Sequence, residues 1–198
     1  MFTGIIESLG QISSIRNDGT NVIFEVSSPI SSQLKVDQSL AHDGVCLTVV
    51  KVVSNTHSVV AVQETLDKTG LRQWQVGRKV NLERSMPAHG RFDGHVVQGH
   101  VDQIARVESV TDLGGSWCYD FSYDAGTGNL TVEKGSVCVN GTSLTCFNCG
   151  PGKFTVAIIP YTYEHTNFHQ MKAGDVVNLE FDIIGKYVQA MLARSGRL

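Results

Sequence analysis

Residues 43–50 read DGVCLTVV, and residues 140–147 read NGTSLTCF. Each phrase opens on Asp-Gly or Asn-Gly, runs through two variable positions, and reaches Leu-Thr before further strand-forming residues. A shift of 97 positions superposes the two and holds without a gap from Ser39 to Glu83. Gly44 falls on Gly141, Leu47 on Leu144 and Thr48 on Thr145, and further on Thr65, Thr69 and Gly77 meet Thr162, Thr166 and Gly174. The run Val80-Asn81-Leu82-Glu83 lands on Val177-Asn178-Leu179-Glu180, and 13 of the 45 aligned positions are identical. The start of each half matches less well, Gly4-Ile5-Ile6-Glu7 against Gly99-His100-Val101-Asp102 at a shift of 95. Such a period is too long for a solenoid unit and long enough for a small domain. The chain therefore reads as two copies of one fold, joined near residues 86–96.

Each copy reads as β. NVIFEVSS, CLTVVKVV, SVVAVQ, SLTCFNC and KFTVAIIP are rich in Val, Ile and Thr, and Asn-Gly, Asp-Gly and Gly-Pro-Gly turn signals separate them. Several short strands within one hundred residues point to a small closed barrel, because closure removes exposed edges. Weak helical patterns occur in SSPISSQL and ETLDKTGL. The last segment differs. In DIIGKYVQAMLAR, Ile183, Ile184, Tyr187, Val188, Met191 and Leu192 form one helical stripe, with Asp182 where an N-cap belongs. That apolar face packs either on its own barrel or on copies of itself; the sequence leaves both open.

Bulk properties exclude several classes. The chain has 198 residues and a net charge of −3, with no basic run to attract nucleic acid or an anionic membrane. No apolar run is long enough to span a bilayer, and MFTGIIESLG lacks the basic and apolar regions of a signal peptide. The expectation is a soluble cytoplasmic protein. Its five cysteines are an odd number, which argues against a disulfide framework. Cys146 and Cys149 form one C-x-x-C, but Cys118 and Cys138 do not complete a zinc spacing, so no metal is expected.

Candidate chemistry sits on the repeated phrase. Cys46 and Ser143 occupy equivalent positions and suit hydrogen bonding to a ligand, or free nucleophilic roles if a base lies beside them. Thr48 and Thr145 serve either a ligand or the strand. Thr65 and Thr162 are candidates for a ligand or for helix N-caps. His95 and His100, five apart in GHVVQGHV, would face opposite sides of a strand and so not share a metal. Gly99 lets backbone approach a ligand closely, and His100 is a plausible proton shuttle. His165 and His169 have a metal-like spacing without a third ligand. Glu83 and Glu180 read as structural, and no phosphate loop or dinucleotide fingerprint is present.

MFTGIIE, DGVCLTV, ETL, VNLER, GHVVQGHVD, EKGSVCVNGTSLT, IIPYT and VNLEFDIIGKYV, in that order across nearly the whole chain, resemble the riboflavin synthase α-subunit family of lumazine-binding repeats. The resemblance implies two similar six-stranded antiparallel Greek-key barrels plus a C-terminal helix that builds a homotrimer. It divides the chain into residues 1–94, 95–182 and 183–198. It implies that each barrel binds one 6,7-dimethyl-8-ribityllumazine, and that a four-carbon unit passes from one to the other. The products are riboflavin and 5-amino-6-(ribitylamino)uracil, with neither cofactor nor metal. The reacting pair would lie between barrels of neighbouring subunits. An association with a lumazine synthase shell stays open.

The resemblance also carries residue roles. It places Phe2, Gly4, Ile5, Ile6, Cys46, Leu47 and Thr48 at a first pocket, with Val60, Ala61, Val62, Gln63, Glu64 and Thr65. A second pocket would use Gly99, His100, Val101, Lys134, Ser143, Leu144 and Thr145, with Ala157, Ile158, Ile159, Pro160, Tyr161 and Thr162. Cys46, His100, Ser143, Thr145 and Asp182 correspond to family residues implicated in turnover, and Asp182 keeps its reading as an N-cap as well. Gln63, Tyr163 and Cys146 depart from the usual Pro or Lys, Leu and Val. Lumazine proteins share the fold and bind a flavin or lumazine only as an optical antenna; a ligand-free structural module is a third reading. The intact Ser143, Thr145, His100 and terminal helix favour catalysis.

Overall fold

The computed structural model describes residues 1–196. Strands β1 (Ser8–Asp18), β2 (Asn21–Ser27), β3 (Ser39–His42), β4 (Val45–Val53), β5 (Thr56–Ala61) and β6 (Lys79–Arg84) close a barrel in the order β1-β2-β5-β4-β3-β6. Strands β7 (Gln103–Asp112), β8 (Trp117–Tyr123), β9 (Ser136–Val139), β10 (Thr142–Gly150), β11 (Lys153–Ile158) and β12 (Val176–Phe181) close a second in the equivalent order. Every pairing is antiparallel. The short helices α1 (Gln63–Lys68) and α2 (Pro160–His165) follow β5 and β11, and α3 (Ile183–Arg194) ends the described chain.

The quoted phrases are hairpins. His42 pairs with Val45, and Val139 with Thr142, so two residues make each turn. Asp43 and Gly44 have φ of 46° and 78°, and Asn140 and Gly141 have 44° and 80°. A two-residue turn with both φ positive matches the twist of its strands and demands this chemistry. Beyond the turn the alternation of β4 and β10 sends Val45, Leu47 and Val49 into one barrel and Cys146 into the other. A bulge interrupts β1 between Ile12 and Ser14 and β7 between Val107 and Ser109, positions 95 apart, so the duplication persists where residue identity has faded.

A pseudo-twofold axis relates the barrels. Phe2 and Val97, equivalent residues, form one antiparallel bridge with each other. Asn81 Nδ2 donates to Asn140 O and Asn178 Nδ2 donates to Asp43 O, both at 2.9 Å. The two hairpin turns meet so closely that a Cβ on Gly44 would lie 2.7 Å from the Gly141 nitrogen. Buried Phe2, Ala41, Val97 and Cys138 fill the seam, two symmetry-related pairs on the axis itself. SSPISSQL is not an α-helix: it holds one 3-10 turn, Ser31–Gln33. ETLDKTGL divides into α1 and a 3-10 turn, Gly70–Gln73, whose N-terminus Thr69 caps through its side chain.

Candidate functional site

Two carboxylates on the last barrel strands position the site. Glu83 on β6 accepts from the Thr3 N–H at 2.6 Å, the Thr3 hydroxyl at 2.8 Å and the Gly4 N–H at 2.9 Å. Glu180 on β12 accepts from the N–H groups of Gln98, Gly99 and His100 at 2.7, 2.9 and 3.0 Å. Burial pushes both carboxyls above their ordinary range, and the converging donors pull them back toward the charged form. Each thus grips the segment that enters its own barrel.

The gripped segments then reach across the seam. Gly4 O accepts from Ser143 N at 2.8 Å, and Gly99 O accepts from Cys46 N at 2.9 Å. Grouping residues by repeat sets Gly4, Ile5 and Ile6 beside Cys46, and Gly99, His100 and Val101 beside Ser143; the structure exchanges them. The physical reason lies in the entering strand, which pairs with its symmetry mate through Phe2 and Val97 and so passes over the neighbouring barrel. Val101 accordingly packs on the first barrel's core. Glycine is required at both crossings: φ is +78° at Gly4 and +80° at Gly99, and an added Cβ would lie 2.6 Å from the Ser143 or Cys46 Cβ.

The first site contains a cavity of about 240 Å³ lined by Val45, Cys46, Glu64, Thr65, Lys68, Thr69, Gly99, His100 and Val101. Cys46 is half-buried and His100 exposed at its mouth, with the buried Phe2 ring behind Gly99. Leu47 and Ala61 point into the barrel core, while Thr48, Val62 and Gln63 are exposed. Gln63 bonds Asp67, four residues on. Thr65 is no N-cap: Val62 holds that position, and Thr65 O accepts from the Thr69 hydroxyl at 2.6 Å.

The second site is assembled on β10. Ser143 is half-buried and Thr145 exposed, with Leu144 packed against the second core. Ile158 lies in that core, Ala157 and Ile159 are exposed, and Pro160 starts α2, so Ile159 and not Thr162 is the N-cap. Tyr161 is exposed and stacks on His165, and Tyr163 lies flat on Trp117 with ring centroids 3.7 Å apart. Lys134 sits beside the middle of β10, its N–H donating to Cys146 O at 2.9 Å and its ammonium 5.0 Å from the Phe147 ring centroid. Asp182 does cap α3, accepting from Ile184 N at 3.0 Å.

Sequence reasoning weighed His95 only as a metal partner of His100 on a strand and gave it no place beside Ser143. It lies on irregular backbone, not on a strand, and its Nδ1 stands 2.6 Å from Ser143 Oγ. Two of the sequence's histidines thus serve different sites, His95 at Ser143 and His100 at Cys46. The signal available in the sequence was Gly94: a Cβ there would come within 2.1 Å of Thr3 O, so the chain is forced close where His95 emerges. The five cysteines are all free, and no group of three potential metal ligands occurs among the described residues. Among them, too, no helix is long and apolar enough to cross a membrane.

Comparison with known proteins gives a consistent result. The lumazine binding domain model matches twice, at residues 3–85 and 98–182. The riboflavin synthase of Bacillus subtilis (strain 168) is 38% identical over 98% of this chain and 91% of its own length. That of Actinobacillus pleuropneumoniae is 37% identical with the same coverage. That of Saccharomyces cerevisiae is 34% identical over 97% of this chain and 86% of its own. In fold, the crystal structure of LumP complexed with riboflavin superposes with a TM-score of 0.84, covering 91% of this chain and 98% of that one at 22% identity.

Proposed function

The chain belongs to the lumazine-binding domain family, and from that premise we propose that it is a riboflavin synthase, a transferase acting on two molecules of 6,7-dimethyl-8-ribityllumazine. One lumazine donates a four-carbon unit and the other accepts it, giving riboflavin and 5-amino-6-(ribitylamino)uracil. The observation that carries this reading is the reciprocal pair of sites. Each is built from both repeats on the same backbone frame, yet one presents Cys46 with His100 and the other Ser143 with His95. Two copies of one frame suit two copies of one molecule. Different polar groups let the copies play different parts.

The chemistry asked of the side chains is modest. A proton must leave the acidic 7-methyl group of one lumazine, and a nucleophile must add at C7 of the other. Holding the two reactants in register supplies much of the rate, since orientation alone is worth roughly 7–11 kcal/mol. Each chain carries two repeats, and in this reading the facing lumazines come from the first barrel of one subunit and the second barrel of its neighbour. The exposed stripe of α3 is the surface on which three copies would meet.

Incubating the purified protein with 6,7-dimethyl-8-ribityllumazine alone tests the reading. Riboflavin should appear without added cofactor, one molecule for every two lumazines consumed. Tight binding with the lumazine unchanged would instead assign an antenna role, and no binding would leave only the fold.

A further inference from the structure

We propose that His95 is the positioning residue behind Ser143, its Nδ1 orienting the Ser143 hydroxyl and taking up its proton while Oγ removes one from the bound substrate. The inference rests on the riboflavin synthase reading above. Ser143 Oγ and His95 Nδ1 are 2.6 Å apart, a short contact for an O–H donor and a ring nitrogen. Among the described residues the Ser143 hydroxyl has this one hydrogen-bond partner. In the proposed arrangement the hydroxyl donates to Nδ1 and Nε2 carries the ring hydrogen.

The backbone holds the pair in place from both sides. His95 N donates to Thr3 O at 3.1 Å, and Thr3 is itself gripped by Glu83. Ser143 N donates to Gly4 O at 2.8 Å. Gly94 runs so close that a Cβ would stand 3.0 Å from Ser143 Oγ. Serine and imidazole are thus hung from consecutive residues, Thr3 and Gly4, of one crossing segment. Cys46 at the equivalent place has no ring nitrogen within hydrogen-bond distance among the described residues. The dyad therefore marks one site and not its mate, as the division into donor and acceptor requires.

Burial lowers the affinity of His95 for a proton, and the carboxylate of Asp182 opposes this from the start of α3. Thr3 and Ser143, the residues it hydrogen-bonds, are uncharged. The ring is thus neutral at neutral pH and able to accept. In the step proposed, a C–H bond of the 7-methyl group breaks and its electron pair stays on the substrate carbon. The proton passes to Ser143 Oγ as the hydroxyl proton passes to Nδ1, with no oxidation or reduction, and Asp182 stabilises the imidazolium formed.

The test compares wild type with His95→Asn, which keeps an acceptor near Nδ1 but cannot take up a proton, and with His95→Ala and Ser143→Ala. Lumazine affinity and thermal midpoint should be retained in His95→Asn, while kcat falls about 100-fold, the low end for general base catalysis. The acidic limb of the wild-type pH profile, where His95 gains a proton and rate is lost, should disappear. Ser143→Ala combined with His95→Asn should cost no more than the worse single change. Unchanged kcat and an unchanged pH profile in His95→Asn, beside an active wild type, would overturn the role of His95 alone. A wild type that binds lumazine without converting it would overturn the riboflavin synthase reading, and this inference with it.

Discussion

Glu83 and Glu180 show how one side chain in each repeat decides the fate of the other repeat's site. Glu83 belongs to the first barrel, but the segment it grips carries Gly4 to Ser143. Glu180 belongs to the second, and its segment carries Gly99 and His100 to Cys46. Glu83→Gln would turn an amide N–H2 against backbone donors already pointing inward, leaving buried donors unpaired at about 1–3 kcal/mol each. The damage should appear at the Ser143 site and spare the Cys46 site. Titration calorimetry with riboflavin should then count one ligand per chain where wild type counts two. Glu180→Gln should remove the other one. Two ligands on either variant, at wild-type affinity, would show that the grip is not what forms the sites.

That crossing was the part of the site the sequence could not disclose. Local chemistry was legible: Asp43-Gly44 and Asn140-Gly141 announced two-residue hairpins, Asp182 announced a helix start, and the repeated strands announced twin barrels. Each of those signals is written within a few neighbouring residues. The hydrogen bonds of Cys46 to Gly99 and of Ser143 to Gly4 join positions far apart, and nothing local distinguishes them from pairings within a repeat. The pairing of His95 with Ser143 escaped notice for the same reason. Its partner is 48 residues away, on a strand of regular alternation.

At the scale of the elements, β3 and β5 carry a buried pair that their counterparts in the second barrel lack. His42 and His57, both fully enclosed, meet Nε2 to Nε2 at 2.8 Å. His42 Nδ1 stands 3.1 Å from Leu40 O, and His57 Nδ1 stands 2.8 Å from Ser31 Oγ, which reaches Ser28 Oγ at 2.8 Å. Leu40 O can only accept, so His42 carries its hydrogen on Nδ1, His57 donates from Nε2, and Ser31 donates to His57. A proton added to either ring has nowhere to point. Burial lowers His42 to about 3 and His57 to about 4, from 6.5 for an ordinary ring. Unfolded, both rings protonate near 6.5, so stability falls as pH drops below that value and continues to fall toward the folded-state values. His42 alone costs roughly 2 kcal/mol at pH 5 relative to neutral solution. Asp43, raised to about 6 by burial, slopes the other way. The second barrel places Val139 and Phe154 at the equivalent positions, fully buried. His42→Val with His57→Phe should therefore fold and lose the histidine part of the acid sensitivity, with Asp43 common to both proteins. Urea midpoints at pH 7.5 and pH 5 should converge in the variant; an equal drop in both would exonerate the histidines.

At the scale of the whole molecule, α3 leaves much of its apolar stripe uncovered. Ile184, Tyr187, Val188 and Met191 are 65, 67, 50 and 71% exposed, so the stripe is not buried on its own barrel. Polar contacts on other positions tether the helix: Lys186 pairs with Asp102 at 2.6 Å, and Gln189 donates to Gly128 O at 2.8 Å. The tether matters for assembly, because Asp102 directly follows the segment that builds the Cys46 site and also accepts from Phe181 N at 2.9 Å. In a trimer built on α3, a helix fixed to the site's own backbone would set where a neighbouring subunit's site stands. If three copies join through this stripe, each reacting pair forms between chains and a lone chain has only half of one. Tyr187→Asp with Met191→Asp should then give a species of one chain's mass by light scattering, against three for wild type. The variant should still bind lumazine at both sites, since neither residue touches them, while turnover falls by at least 100-fold, because each lumazine loses its partner's orientation. Turnover that persists in the monomeric variant would mean that one chain brings its two ligands together unaided.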